Sequence, residues 1–127
     1  MANVVLKNTE IENIQRYYEN DQIFNKDVKF SFLTGESWYV VKSYGHIFKN
    51  SYTVEKKYNL DLNQFSLDQI AEIVVKLKPK TSASSYLYLS LISAYIDWMI
   101  KSRTNHSINP LDTVGIKEYA EQFVFKV

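Results

Sequence analysis

The stretch Thr81–Arg103, TSASSYLYLSLISAYIDWMIKSR, decides the fold class. Within it Tyr88, Leu91, Ile92, Tyr95, Ile96 and Met99 recur at steps of three and four, the spacing that lines up side chains on one face of an α-helix. Thr81 or Ser82 offers a capping hydroxyl, so a helix is expected from there to about Arg103. Moving toward the N-terminus, Ser66 with Gln69 has the form of a capping box, and Leu67, Ile70, Ile73, Val74 and Leu77 point inward from the helix it opens. Lys78-Pro79-Lys80 ends that helix near Lys76, because proline disfavours helical backbone at the preceding residue. Residues 59–65 read as a connection. A longer helix is expected from Glu36 to Tyr58, where Val41, Tyr44, Phe48 and Tyr52 form an apolar-aromatic stripe and Glu55 continues the same spacing. Gly45 inside it costs up to about 1 kcal/mol relative to alanine, and it allows close approach of a neighbouring helix or a ligand backbone. At the N-terminus, Thr9 with Glu12 suggests a capping box for a helix over 9–20, with Ile11, Ile14 and Tyr18 apolar and Ile23–Phe24 fitting less cleanly. Val28–Leu33 adds a helical turn or two before Thr34-Gly35 breaks the pattern. Asn105, Ser107 and Asn109-Pro110 mark a polar break and a turn, and a last helix is expected from Val114 to Phe123. Strand alternation is weak throughout, so the expected class is all-α, a bundle of four to six helices with short connections.

The 127 residues suit a single domain. Apolar residues make up 46% and charged residues 23%, a globular rather than disordered balance. The absence of cysteine excludes a disulfide scaffold, a thiolate metal site and a cysteine nucleophile. Three glycines and two prolines argue against many-turned β architectures. No apolar run approaches the roughly 20 residues of a membrane span, and the N-terminus lacks the basic-then-apolar form of a signal peptide, so a cytoplasmic location without membrane contact is expected. Ten tyrosines, seven phenylalanines and two tryptophans are the unusual feature. Most sit at helical core spacing, which favours a core of rings whose polar tips reach the surface over a sticky binding face.

A net charge of +1 hides a segregation. Residues 37–57 carry +3 and residues 76–103 carry +4, while 1–36, 58–75 and 104–127 carry −2, −3 and −1. On an ideal helix, residues seven apart drift by only about 20°, so Lys42, Lys49 and Lys56 form a row, with His46 and Thr53 beside it. The row points away from the Tyr44/Phe48 stripe. In the second basic segment Lys78 and Lys80 precede Thr81, Ser82, Ser84 and Ser85 at a helix start, where free N–H groups, hydroxyls and ammonium groups together suit a phosphate. Solvated lysine faces and capping hydroxyls also occur on helices that bind nothing.

Catalytic signatures are missing. No glycine-rich phosphate loop and no Gly-x-Ser-x-Gly elbow occurs, and His46 and His106 are too far apart for a paired metal motif. Glu118 and Glu121 read as surface charges. No catalytic residue, metal ligand or cofactor is nominated, and the chain by itself is not expected to be an enzyme.

The run Asp61–Val114, DLNQFSLDQIAEIVVKLKPKTSASSYLYLSLISAYIDWMIKSRTNHSINPLDTV, resembles the N-terminal core-binding (SAM-like) domain of tyrosine recombinases and phage integrases. The matching elements are Tyr52–Tyr58, Ser66–Leu77, the Lys80-Thr81-Ser82 turn, Ser90–Trp98 and Asn109-Pro110-Leu111. With the preceding helix the likeness covers roughly residues 37–114. It implies an orthogonal helical bundle forming one half of a clamp around double-stranded DNA. The other half, in that family, is a separate catalytic domain with arginines, a histidine-containing box and a tyrosine nucleophile. This chain departs from that pattern, with only Arg16 and Arg103 and no His-x-x-Arg box. The expected organisation is an N-terminal helical extension over 1–35, a core-binding domain over 36–114 and a C-terminal helix or linker over 115–127.

The expected function is therefore DNA binding, in integration or recombination or in the regulation of a prophage or other mobile element, with a homo-oligomer on DNA as a further expectation. Lys42, His46, Lys49 and Lys56 are the first candidates for phosphate contact. Lys78, Lys80, Thr81, Ser82, Ser84 and Ser85 are the second. Tyr86, on the side of its helix away from Tyr88 and Tyr95, is a candidate for a sugar or base edge, whereas Tyr88, Tyr95, Trp98 and Met99 are assigned to packing. The alternative is a helical protein–protein interaction module of a phage or mobile-element regulator, with its aromatics as the contact surface.

Overall fold

A computed structural model describes residues 11–102 and 108–124. Six helices account for most of them, and no strand occurs among the described residues. Helix α1 covers residues 11–17, α2 Lys26–Leu33, α3 Trp38–Tyr58, α4 Leu67–Leu77, α5 Ser82–Ser102 and α6 Ile116–Ala120. Short 3₁₀ turns at Leu62–Gln64, Pro110–Thr113 and Glu121–Phe123 fill the connections. The proposed cap at Thr9, the end of α5 at Arg103, and Asn105, His106 and Ser107 lie outside the described residues.

Local chemistry accounts for the boundaries. The Ser37 side chain accepts from the Val40 amide at the start of α3, and Asn59, in the left-handed conformation, closes it. Ser66 and Gln69 form a reciprocal capping box on α4, and Lys78 at φ 49° stops it just before Pro79. Thr81 Oγ1 accepts from the Ser84 amide and so caps α5. Two expected helices are shorter than their periodicity suggested. Residues 18–20 form a turn rather than a continuation of α1, and 114–123 splits into the five-residue α6 and a 3₁₀ turn. The connection over 59–65 contains its own capping box, Asp61 with Gln64, around the turn at Leu62–Gln64.

One hydrophobic core runs through all of this. Ile14, Tyr18, Phe30 and Leu33 from the N-terminal part and Leu111, Ala120 and Phe123 from the C-terminal part share it with Val41, Phe48, Ile70, Ile92 and Tyr95. Several rings turn their polar tips inward. Tyr18 donates to the Val41 carbonyl, Tyr44 to that of Leu91 at 2.7 Å and Tyr95 to Asp61 at 2.9 Å. Each such bond joins elements that are distant in sequence and satisfies a hydroxyl that burial would otherwise leave costly. Burial holds the Tyr18 and Tyr44 hydroxyls well above the usual phenol range. Gly45 lies under the Tyr18 ring, where an added Cβ would come within 2.9 Å of it, so the absent side chain is what lets this ring seat on α3.

A charged cluster sits inside this core. Lys29 of α2 is fully buried, and its ammonium lies 2.7 Å from Glu55 and 2.8 Å from Asp61 while also donating to the Phe24 carbonyl. The rings of Phe48 and Tyr95 lie 5.3 and 5.6 Å from the same nitrogen. Glu55 further accepts from Ser51 and the Leu62 amide, and Asp61 from Asn25, the Asn63 amide and side chain, and Tyr95. Two carboxylates share one cation, and their surroundings divide the roles. Burial pushes the Glu55 carboxyl above the usual range, and Lys29 and Ser51 offset that only in part. Burial acts on Asp61 in the same sense, but Lys29 and the Asn63 donors together outweigh it and hold that carboxyl below the usual range.

Candidate nucleic-acid interface

Helix α3 separates the two faces that its sequence implied. Val41, Tyr44, Ile47, Phe48, Ser51, Val54 and Glu55 are buried, whereas Lys42, His46, Lys49, Thr53 and Lys56 are exposed along the opposite side. From Lys42 to Lys56 the row extends about 21 Å along the helix axis, equal to some six base steps of roughly 3.4 Å. Among the described residues, neither Lys42, Lys49 nor Lys56 is paired with a carboxylate. Lys57, one residue further, points elsewhere, bridging to Glu72 of α4 at 3.0 Å, which raises the lysine and lowers the glutamate.

The helices on either side of the second basic segment both contact α3. Thr53, Val54 and Lys57 share a groove with Asp68, Glu72, Val75 and Lys76, so α4 packs beside the C-terminal half of α3. The His46 ring meets that of Tyr88 in α5 at 5.7 Å. The turn carrying Lys78 and Lys80 joins α4, which meets α3 around Thr53–Lys57, to α5, which meets it at His46. Both lysines and Thr81 are exposed, and Ser84 is half-buried with its hydroxyl bonded to Thr81 Oγ1.

Other candidates are directed differently. Ser85 is fully buried and donates to the Ala120 carbonyl at 2.6 Å, tying α5 to α6, so its hydroxyl is not available to a phosphate. Its place in a Ser/Thr-rich helix start hid this, because only the docking of α6 gives that face of α5 an inside. Ser82 and Tyr86 are exposed but line a groove with Lys117 and Glu121. On α5, Tyr86 is about 160° from Tyr88, so it faces away from the His46 contact. Tyr95 and Met99 are buried, and Tyr88 and Trp98 are half-buried, with Trp98 edge-on to Phe32 at 5.3 Å. No local sequence pattern joins Lys29, Glu55 and Asp61 as a group. Glu55 gave the one available signal, a carboxylate on the apolar spacing of α3.

Among the described residues, no group of three or more His, Asp or Glu side chains is arranged to hold a metal ion, and no helix is long and apolar enough to cross a membrane. The fold defines a helical core-binding domain of the type carried by integrases and recombinases. A family model described as the MrpR N-terminal core-binding domain matches residues 23–101, more than half of the chain, and the chain belongs to this family. It is also 30% identical over 89 residues to the SPbeta prophage-derived uncharacterized protein YopR of Bacillus subtilis (strain 168). That alignment covers 70% of this chain and 27% of YopR, so the chain spans about a quarter of that relative's length. No solved structure matches.

Proposed function

We propose that this domain binds double-stranded DNA through the exposed row Lys42, His46, Lys49 and Lys56, with Lys78, Lys80 and Thr81 as a flanking contact, in DNA recombination, integration or the regulation of a prophage. The observation that carries the reading is the row itself. Its three lysines are exposed, lie on one line and are unneutralised by any carboxylate among the described residues. A cation already paired has little to offer a phosphate, and these are free to displace counterions from a duplex. Membership in a core-binding family and likeness to a prophage-derived protein support the same reading. Contacts of this kind position the protein on the backbone without selecting a sequence.

The test is fluorescence anisotropy with a labelled duplex across a salt series. Three lysine–phosphate contacts give a log–log salt slope of about −2.7, and loss of two of them flattens it by about 1.8. The double variant Lys42→Glu/Lys49→Glu is expected to bind far more weakly, with the flattened slope, while its circular dichroism and melting temperature stay unchanged. Binding that ignores both salt and the charge reversals would overturn the reading in favour of a protein partner.

A further inference from the structure

Trp38 and Tyr39 open the helix that carries the lysine row, and they are 45% and 73% exposed. Viewed down α3, Trp38 lies about 40° to one side of Lys42 and Tyr39 about 60° to the other. The two rings therefore bracket the N-terminal end of the lysine row. Trp38 is braced from behind. Tyr17 packs edge-on against it at 5.5 Å and against Tyr18 at 5.1 Å, and Tyr18 is itself buried and bonded to the Val41 carbonyl. Glu36, the acid nearest to Trp38 in sequence, lines a groove with Val40, Tyr44 and Trp98.

A braced aromatic face beside a line of free cations is what a nucleobase and its phosphate require together. The ring offers a stacking platform indifferent to base identity, and Lys42 lies about 6 Å further along the axis, within reach of the adjoining phosphate. We propose that Trp38, flanked by Tyr39, stacks on a base that has left the duplex, so that the domain favours DNA containing unpaired bases over a fully paired helix. The inference rests on the DNA reading of the same helix and adds to it the form of DNA preferred. A fully stacked duplex shows an aromatic ring only base edges and sugars, whereas an unpaired base exposes its π-face.

The experiment compares a duplex holding a central mismatched bubble with its fully paired counterpart, using the full chain. Two readouts are taken: affinity, and tryptophan emission in a Trp98→Phe background, in which Trp38 alone reports. The bubble is expected to bind about tenfold more tightly and to quench Trp38. In Trp38→Ala/Tyr39→Ala the preference is expected to vanish while paired-duplex affinity and its salt slope remain. If Trp98→Phe disturbs folding, the part of wild-type quenching that Trp38→Ala abolishes serves as the same readout. Equal affinity for the two DNAs with unchanged Trp38 emission would overturn the stacking role and leave the phosphate row standing. Failure to bind either DNA would overturn the row as well.

Discussion

Lysines on neighbouring elements meet opposite fates in this domain. Lys42, Lys49 and Lys56 stand in solvent along α3 without a carboxylate partner among the described residues, while Lys29 is sealed into the core against Glu55 and Asp61. Helix α3 serves both arrangements, with its lysine row on one side and Glu55 on the other. The contrast separates two uses of the same charge. The exposed row costs the fold little and leaves its cations available to a polyanion. The buried cluster gives up solvation and recovers it through ion pairs and hydrogen bonds that fix α2, α3, the Leu62–Gln64 turn and α5 in one register.

The sharpest way to break this contrast is to remove the buried cation. Lys29→Met leaves two carboxyls facing one another without their shared donor, and a loss of about 3–5 kcal/mol is expected, a large part of the roughly 5–15 kcal/mol that holds a domain together. Urea denaturation measures it, and a midpoint close to wild type would show that the cluster is not structural. Gly45→Ala tests the neighbouring side of α3. Overlap with the Tyr18 ring outweighs the gain in helix propensity, for a net loss of about 1–2 kcal/mol. Pairing it with Tyr18→Leu should recover part of that loss in a double-mutant cycle.

Titration gives a smaller signature whose direction is fixed by the cluster. Asp61, held low, contributes stability that is complete above its ordinary pKa and is lost as pH falls through its lowered folded value. Glu55, held high, works in the opposite sense, and stability declines as pH rises from the ordinary carboxylate range through its raised value. Melting temperature should therefore fall over that upper window in the wild type and stay level in Glu55→Gln. Parallel curves for the two proteins would mean another group titrates there. The smallest effect belongs to the exposed row, where Lys42→Glu and Lys49→Glu should each change stability by no more than about 0.5 kcal/mol. A large drop in melting temperature would mean the row is also part of the architecture.

Particular elements show why some of this was legible in one dimension. The spacing of Tyr88 to Met99 placed α5, the Ser66/Gln69 pair placed α4, and the seven-residue recurrence of Lys42, Lys49 and Lys56 placed the exposed row. Each is a relation between residues within one helix, where the backbone period alone decides which side chains share a face. The apolar spacing around α6 continues past the point where the chain tightens into a 3₁₀ turn, so periodicity predicts a longer helix than the structure has. The burial of Ser85 is not legible in the sequence because it depends on α6 folding back over it.

The amino-acid order by itself determined that this chain is helical, where α4 and α5 start, and that α3 has a cationic side opposite an aromatic one, because these follow from propensity, capping and periodicity acting over a few residues. Only the tertiary structure decided that Lys29, Glu55 and Asp61 meet, that Tyr18 rests on Gly45, and that α6 covers Ser85. Those outcomes join residues that are far apart in the chain, and burial creates their energies only after the helices have packed.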